Sequence, residues 1–265
     1  RSPSGEEPGE AGRATLLDHC MQLGREADVV RADPGYRVNW KIRGQPFVSV
    51  IIPNRNAASV LRVCLDGLLH KTGYAHRELI IVDNDSDDPE TKQYYEWLRR
   101  RNDTKIVQLG SRFNYSAACN TGVAAARGDL LLFLNNDIEV IDAGWLDELV
   151  RWAQWPEVGV VGAKLLYLNA AIQHAGIVFG LGLVGHMFSG ANERTSGPFG
   201  SSESYRNYLA VTGACQMTRR DVFDAVGGYD ERYQLEFGDV VYCMNAWKAG
   251  YRVIYTPYSR LVHHE

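Results

Sequence analysis

Three short polar stretches carry side chains suited to ligand chemistry: Pro53-Asn54-Arg55-Asn56, Asp83-Asn84-Asp85 and Asn135-Asn136-Asp137. Each directly follows an apolar run, VSVII, LIIV and LLLFL respectively. Asn and Asp present donors and acceptors that match the edge of a planar base. A diphosphate held through a hard divalent cation needs only one or two carboxylates, because phosphate oxygens complete the shell. The same residues also suit turns, where their side chains satisfy local backbone groups. Position favours the ligand reading. An unbroken run such as Leu130 to Leu134 reads as a fully buried strand. The carboxyl ends of such strands are where open α/β sheets bind ligands.

The elements that position these groups follow from hydrophobic periodicity. Strands are predicted over 47–52, 79–82, 105–109 and 130–134, alternating with helices over 58–70, from about 89 to 101, and over 116–127. Val60, Leu61, Cys64, Leu65, Leu68 and Leu69 form the expected inner face of the first of these helices. This order predicts an α/β fold with a mostly parallel central sheet flanked by helices, its polar loops converging on one edge. Beyond residue 137 the pattern becomes mixed. Helices are expected at 143–154, 219–226 and 239–249, and strands at 158–163, 172–179, 208–217 and 251–255. The glycine-rich stretch 180–200 shows no element and is long enough to be a lid or binding loop. Residues 1–12 read as a disordered leader, 13–46 as an accessory helix and strand, and 47–265 as the main domain. The lack of an initial Met and the stop just after a strand suit a piece excised from a larger multidomain protein.

Composition excludes several classes. A formal charge of -4 gives no support for nucleic-acid binding. No apolar run is long enough to cross a bilayer, and the polar start RSPSGEEPGE does not read as a signal peptide. The five cysteines are scattered without a CxxC pair, which predicts buried thiols and a cytoplasmic setting. Neither a Walker A loop nor a dinucleotide fingerprint follows the first strand, and HExxH is absent. Trp145, Trp152 and Trp155 share a helical face and read as a core seam, while Tyr205, Tyr208 and Tyr242 are candidates for an aromatic stacking platform.

Five blocks, in order, resemble the family 2 glycosyltransferases, the nearest branch being bacterial enzymes of O-antigen, capsule, rhamnan and S-layer glycan assembly. They are VSVIIPNRN (48–56), ELIIVDNDSDD (78–88), FNYSAACNTGVAAARGDLLLFLNNDIEV (113–140), VTGACQMTRRDVFDAVGGYDERY (211–233) and FGDVVYCMNAWKAGYRVIYTPYSRLVHHE (237–265). Singly, DNDSDD and NND are weak signals; the five together are specific. The resemblance implies a GT-A fold with a donor-binding half over about 47–140 and a mixed acceptor and catalytic half over about 141–265. It implies inverting transfer from a UDP- or dTDP-sugar, rhamnose or another hexose, to a hydroxyl of an oligosaccharide or lipid-linked glycan. A lipid-linked acceptor would bring the enzyme to the inner face of the plasma membrane, and adjacent glycosyltransferase domains are compatible with the pattern.

By the same resemblance Pro53, Asn54, Arg55, Asp83, Asn84 and Asn136 line the nucleotide pocket, Asp83 accepting from the base imide. Asp137 matches the last acid of the metal motif, with His263 as its late histidine partner for Mg²⁺ or Mn²⁺; His264 competes for that role. Asp239 falls where the family carries its general base, at a helix start whose free N–H groups are expected to lower its pKa. Thr212, Gly213, His186 and Tyr242 are assigned to the sugar or acceptor side. His174 and His186 otherwise read as structural. The chain departs from the pattern at Gly238, often Glu or Asn, and at Val241, often Asp. Those departures motivate an alternative, a degenerate nucleotide- or glycan-binding module of a larger synthase. A nucleotidyltransferase is a further alternative that the missing Gly-rich signature disfavours.

Overall fold

The computed structural model describes residues 9–265 except 34, 111, 181 and 182. Residues 1–8 of the expected disordered leader lie outside this range. Helix α1 (Glu10–Gln22) is followed by an antiparallel hairpin, β1 (Ala27–Arg31) and β2 (Tyr36–Trp40), so the leader holds one strand more than periodicity suggested. The first half of the main domain then runs β3 (Val48–Asn54), α2 (Ala58–Asp66), β4 (Arg77–Asp83), α3 (Pro89–Leu98), β5 (Thr104–Gln108), α4 (Tyr115–Ala125) and β6 (Leu130–Leu134). The strands β6-β3-β4-β5 are hydrogen-bonded in that order and are all parallel.

The apolar runs have a direct explanation. Val48, Val50, Ile52, Leu130, Leu132 and Leu134 pack into the core on one face of the sheet. Ile51, Leu131 and Phe133 pack into the core on the other. Each strand is therefore buried on both sides, at about 1.5–3 kcal/mol for every fully buried Leu, Ile or Phe. Gly122 lets α4 lie directly on β3, since a Cβ there would come within 2.3 Å of Ile51 Cγ2. In α2 the inner face holds at Leu61, Cys64 and Leu65, whereas Val60 is exposed, because it falls outside the arc those three define.

The second half comprises β7 (Ile138–Val140), α5 (Trp145–Ala153), β8 (Val158–Leu166), β9 (Ile172–His174), β10 (Ile177–Gly180), β11 (Leu183–His186), β12 (Arg206–Asn207), β13 (Cys215–Arg219), α6 (Arg220–Val226), α7 (Gly238–Lys248) and β14 (Arg252–His263). Strand β13 inserts antiparallel between β6 and β8, and β14 runs parallel to β8. These continue the central sheet into the mixed region. Four expectations change here. The single strand expected at 172–179 breaks into β9 and β10, because Gly176, at a φ of 102°, leaves the strand conformation. The stretch 180–200 contains β11, which pairs antiparallel with β10. The last strand runs on to His263, because β7 offers it a second partner after β8. The strand expected at 208–217 begins only at Cys215, as β13; the residues before it form a loop that follows the short β12.

The leader is welded to α5. Trp40 meets Trp152 and Trp155 edge-on, with ring centroids 5.9 and 5.5 Å apart. Arg37 pairs at 2.8 Å with Glu148, a buried carboxylate that also accepts from Thr256 Oγ1 at 2.9 Å. Trp152 and Trp155 thus form a seam against the leader, whereas Trp145 is buried elsewhere and donates to Thr72 Oγ1 at 3.0 Å. Trp40→Ala is expected to cost about 3–5 kcal/mol, read as a lowered urea midpoint; an unchanged midpoint would mean that the leader is detachable.

Candidate active site

Because β3, β4 and β6 are parallel, their carboxyl ends reach the same edge of the sheet. A hydrogen-bonded chain crosses those ends. Asn136 Nδ2 donates to Asn54 Oδ1 at 2.7 Å, Asn54 Nδ2 to the Tyr95 hydroxyl at 2.7 Å, and Tyr95 to Asp83 Oδ1 at 3.0 Å. Asp83 also accepts from Ser86 Oγ, and its Oδ2 accepts from Gln108 Nε2 at 3.1 Å. Asp83 is 4% exposed and tightly anchored. Beside it opens a cleft of about 350 Å³ walled by Pro53, Asn54, Arg55, Asn84, Phe113, Tyr115, Asn135 and Asn136.

The pairing of β14 with β7 carries His263 to the residue that precedes β7, Asp137. His263 Nε2 lies 3.1 Å from Asp137 Oδ1. Its Nδ1 lies 2.7 Å from Oε1 of Gln173, whose Nε2 donates to Glu265 at 3.2 Å. An amide oxygen only accepts, so Nδ1 carries the proton of neutral His263 and Nε2 keeps its lone pair. Nε2 receives Asn135 Nδ2 at 3.2 Å. The approach to Asp137 is then lone pair to lone pair, and Oδ1 is buried without a hydrogen-bond partner among the described residues. Burial would push the Asp137 carboxyl up, but once His263 is protonated its Nε2–H bonds to Oδ1 and its charge faces the carboxylate; together these outweigh burial and hold the carboxyl below its ordinary value. An orphaned carboxylate oxygen beside an imidazole lone pair fits a divalent cation. Among the described residues no third His, Cys, Asp or Glu completes a ligand set.

A second cavity, about 370 Å³, shares Tyr115 and Asn135 with the first and is also lined by His186, Thr212, Gly213 and Asp239. Asp239 lies in the first turn of α7, and its carboxylate accepts from Val240 N and Gly213 N, both at 2.7 Å. Both bonds lower its pKa, Val240 N as expected of a helix start and Gly213 N from a loop the sequence did not point to, but burial is the larger effect and the net shift is upward. Gly213 is gripped at both ends, since the Tyr115 hydroxyl donates to its carbonyl at 2.9 Å. A Cβ on Gly213 would sit 3.1 Å from Asp239 Cβ and 3.2 Å from the Tyr115 hydroxyl. Gly213→Ala should therefore crowd Asp239 and shift its carboxylate, read as an altered Asp239 titration in carboxyl-carbon NMR; an unchanged titration in the folded variant would mean that the loop gives way instead.

Residues 49–227 match the family described as Glycosyl transferase family 2. The chain belongs to that family. It is 45% identical over 262 residues to the O-antigen biosynthesis protein RfbC of Myxococcus xanthus, covering 97% of this chain but 20% of that protein. The mannosyltransferase PcManGT from Pyrobaculum calidifontis, solved with GDP-Man and Mn²⁺, superposes with a TM-score of 0.62 at 18% identity, over 96% of this chain and 65% of its own. GalNAc-T7, solved with UDP, GalNAc and Mn²⁺, gives 0.68 at 17% identity over 83% and 43% of the two chains. At those identities the likeness is one of fold, a GT-A-like central sheet flanked by helices.

In this family 2 domain most of the residues singled out from sequence converge on one edge of the sheet. Asn54, Arg55, Pro53, Asn84 and Asn136 line one cavity, and His186, Thr212, Gly213, Asp239 and His263 line its neighbour. His263 and His264 separate clearly: His264 turns away and pairs with Glu139 at 2.9 Å. Tyr242 is a correction. It is completely buried, stacked on Tyr229 with centroids 5.0 Å apart, and its hydroxyl meets Thr218 Oγ1 at 2.8 Å. It falls on the inward face of α7, so it cannot present its ring to a sugar. Tyr205 packs on Trp152 and Tyr258, and Tyr208 on Tyr255, so no tyrosine platform forms from the three. All five cysteines are buried and unpaired. Sequence reasoning passed over Tyr95, Phe113, Tyr115 and Gln173. The stretch FNYS offered a signal for Phe113 and Tyr115, since it opens the helix facing the strand ends. Tyr95 and Gln173 gave none.

Proposed function

We propose that this domain is a metal-dependent inverting glycosyltransferase. It moves a sugar, rhamnose or another hexose, from a UDP- or dTDP-sugar to a hydroxyl of a growing bacterial surface polysaccharide. The observation that carries the reading is the pair of cavities meeting at Tyr115 and Asn135, one walled by the polar strand ends and the other holding Asp239. The nucleoside lies along Pro53, Arg55 and Asn84, and the base imide donates to Asp83 Oδ2, whose close side-chain partner is Gln108. Thr212 and Gly213 face the transferred sugar or the acceptor. Asp239 accepts the proton of the attacking hydroxyl as its oxygen bonds to the anomeric carbon, and the bond to the diphosphate breaks with its electron pair. Mg²⁺ or Mn²⁺, held by Asp137 and His263, supplies charge neutralisation at the diphosphate when bound. The Asn54–Tyr95–Asp83 chain fixes the cleft wall before the donor arrives.

The similarity to an O-antigen biosynthesis protein supports the polysaccharide acceptor, oligosaccharide or lipid-linked. A lipid-linked acceptor would place the domain on the inner membrane face by peripheral contact. Among the described residues no helix is long and apolar enough to cross a membrane. Because the chain spans a fifth of that relative, adjacent glycosyltransferase domains are part of the proposal. Gly238, which motivated a degenerate module, has a packing reason: a Cβ there would lie 2.5 Å from Ser116 Oγ. It therefore carries little weight as a sign of lost activity.

Calorimetric titration of UDP, dTDP, GDP and ADP, each with and without Mn²⁺, tests the donor site. Selective, Mn²⁺-enhanced binding of UDP or dTDP is the expected result and chooses the sugar donors for a transfer assay. Absence of nucleotide binding by the folded protein would overturn the assignment. Pyrophosphate release from an NTP and a sugar phosphate would point to a nucleotidyltransferase.

A further inference from the structure

Two histidines that the chemistry above does not use meet at the rim of the Asp239 cavity. His186, at the end of β11, is exposed and lines that cavity. Behind it, at the end of β9, His174 is completely buried. Their Nδ1 atoms lie 3.3 Å apart, with the rings inclined at 78°. Two like nitrogens share a hydrogen bond only when one of them carries a proton. The far side of His174 decides which. Its Nε2 faces two backbone donors, Gly176 N at 3.3 Å and Thr212 N at 3.4 Å, so Nε2 holds a lone pair. Burial first, then the neighbouring His186 and His263, pushes the His174 pKa well down, so the ring is neutral. Its single proton is therefore on Nδ1, which donates to His186. Neutral His186 accepts at Nδ1 and must carry its own proton on Nε2.

We infer that His174 is a positioning residue that locks His186 in the Nε2–H tautomer, so that His186 donates a hydrogen bond to an acceptor hydroxyl vicinal to the one Asp239 deprotonates. The inference rests on the glycosyltransferase reading for its substrate, though not for the tautomer. A hexose carries hydroxyls on adjacent carbons, and a cavity offering one fixed donor and one carboxylate reads such a vicinal pair. Thr212 takes part twice: it lines the cavity while its N–H sets the His174 tautomer. The glycine beside it, Gly213, holds Asp239. One loop thereby fixes both the base and, through His174, the donor.

Nitrogen NMR of the full chain, labelled in its histidine rings and without ligand, tests the tautomer. The expected spectrum has His186 protonated on Nε2 and His174 on Nδ1, with assignment from the loss of signals in His186→Gln. His174→Phe keeps the ring volume but removes the donor, and should let His186 exchange between tautomers; His174→Asn, which restores an N–H near the Nδ1 position, should recover the single form. Protonation of His186 on Nδ1 in the wild type would overturn the proposal, and so would an unchanged tautomer in folded His174→Phe. If the Phe variant fails to fold, the wild-type spectrum and His174→Asn still decide. In the transfer assay, His186→Ala and His174→Phe should each raise the acceptor KM about tenfold or more, with the donor KM within about twofold. A rise confined to the donor KM would overturn the acceptor role. Lack of turnover in every variant, wild type included, would count against the glycosyltransferase reading and the vicinal-hydroxyl role with it, whereas the tautomer stands or falls on the spectrum alone.

Discussion

Asp239→Asn should leave nucleotide binding intact and reduce transfer by at least about 10²–10⁴-fold, the range general bases contribute. The side chain keeps its size and one of its two acceptor oxygens, so α7 should keep its start; Asn cannot take a proton. Burial has already raised the pKa of Asp239 despite the two backbone N–H groups it accepts from. The protein thus holds a stronger base than an exposed aspartate, and it is fixed at the rim of the donor site. The pH profile follows with a definite sign. Only the ionised carboxylate can accept a proton. The rate should therefore fall about tenfold per unit as pH drops through a pKa above the ordinary carboxylate value of about 3.9. That acid limb should be absent from whatever residual activity Asp239→Asn retains. Measurement requires kcat and KM for donor and acceptor across the pH range, with unfolding midpoints to show that both proteins are folded. Transfer surviving within a few-fold in the folded variant would reassign the base. Glu236, which lines the same cavity, would then be the next carboxylate to replace.

Much of this site was legible in sequence, for a physical reason. A parallel sheet buried on both faces must be written as unbroken apolar runs, and its ligand groups must follow those runs directly. That places Asn54, Asp83, Asn84 and Asn136 without any coordinates. Residues that act across the fold leave no such local mark. Gln173 orients His263 from 90 residues away, and Tyr95 reaches Asp83 from the next helix. Tyr242 shows the converse. As an aromatic in the Asp239 block it is assigned from sequence to the sugar or acceptor side, but its place on α7 turns the ring onto Tyr229 and the core. The direction of the Asp239 pKa shift was likewise out of reach. The helix N–H groups can be read from sequence, whereas the burial that outweighs them arises only once α7 packs against α4 and the sheet.

Asp137→Ala should abolish the Mn²⁺ enhancement of UDP or dTDP binding, lowering affinity in the presence of metal by about 10–100-fold or more and leaving metal-free affinity nearly unchanged. With Asp137 gone, His263 Nε2 faces only the Asn135 amide, and a single imidazole beside the diphosphate is a poor site for a hard cation. Asp137→Asn should behave similarly, because the charge rather than the shape is required. The effect on stability separates this from simple damage. The melts are compared at a pH where His263 is neutral: there Asp137 Oδ1 is buried without a hydrogen bond among the described residues and confronts an imidazole lone pair, so in the apo protein it is a liability, whereas protonation of the ring turns the contact into a stabilising pair. Removing it should leave the apo unfolding midpoint equal to or above that of the wild type. The wild type should overtake the variant only when Mn²⁺ and nucleotide are both present, since a ligand that binds the folded state raises its stability. Retained Mn²⁺ enhancement in Asp137→Ala would put the cation elsewhere. A large fall in the apo midpoint would instead mean that the Asp137–His263 contact is a structural ion pair. The two readings predict opposite signs in one melting experiment, and the metal titration then tells whether the orphaned oxygen is there to receive a cation.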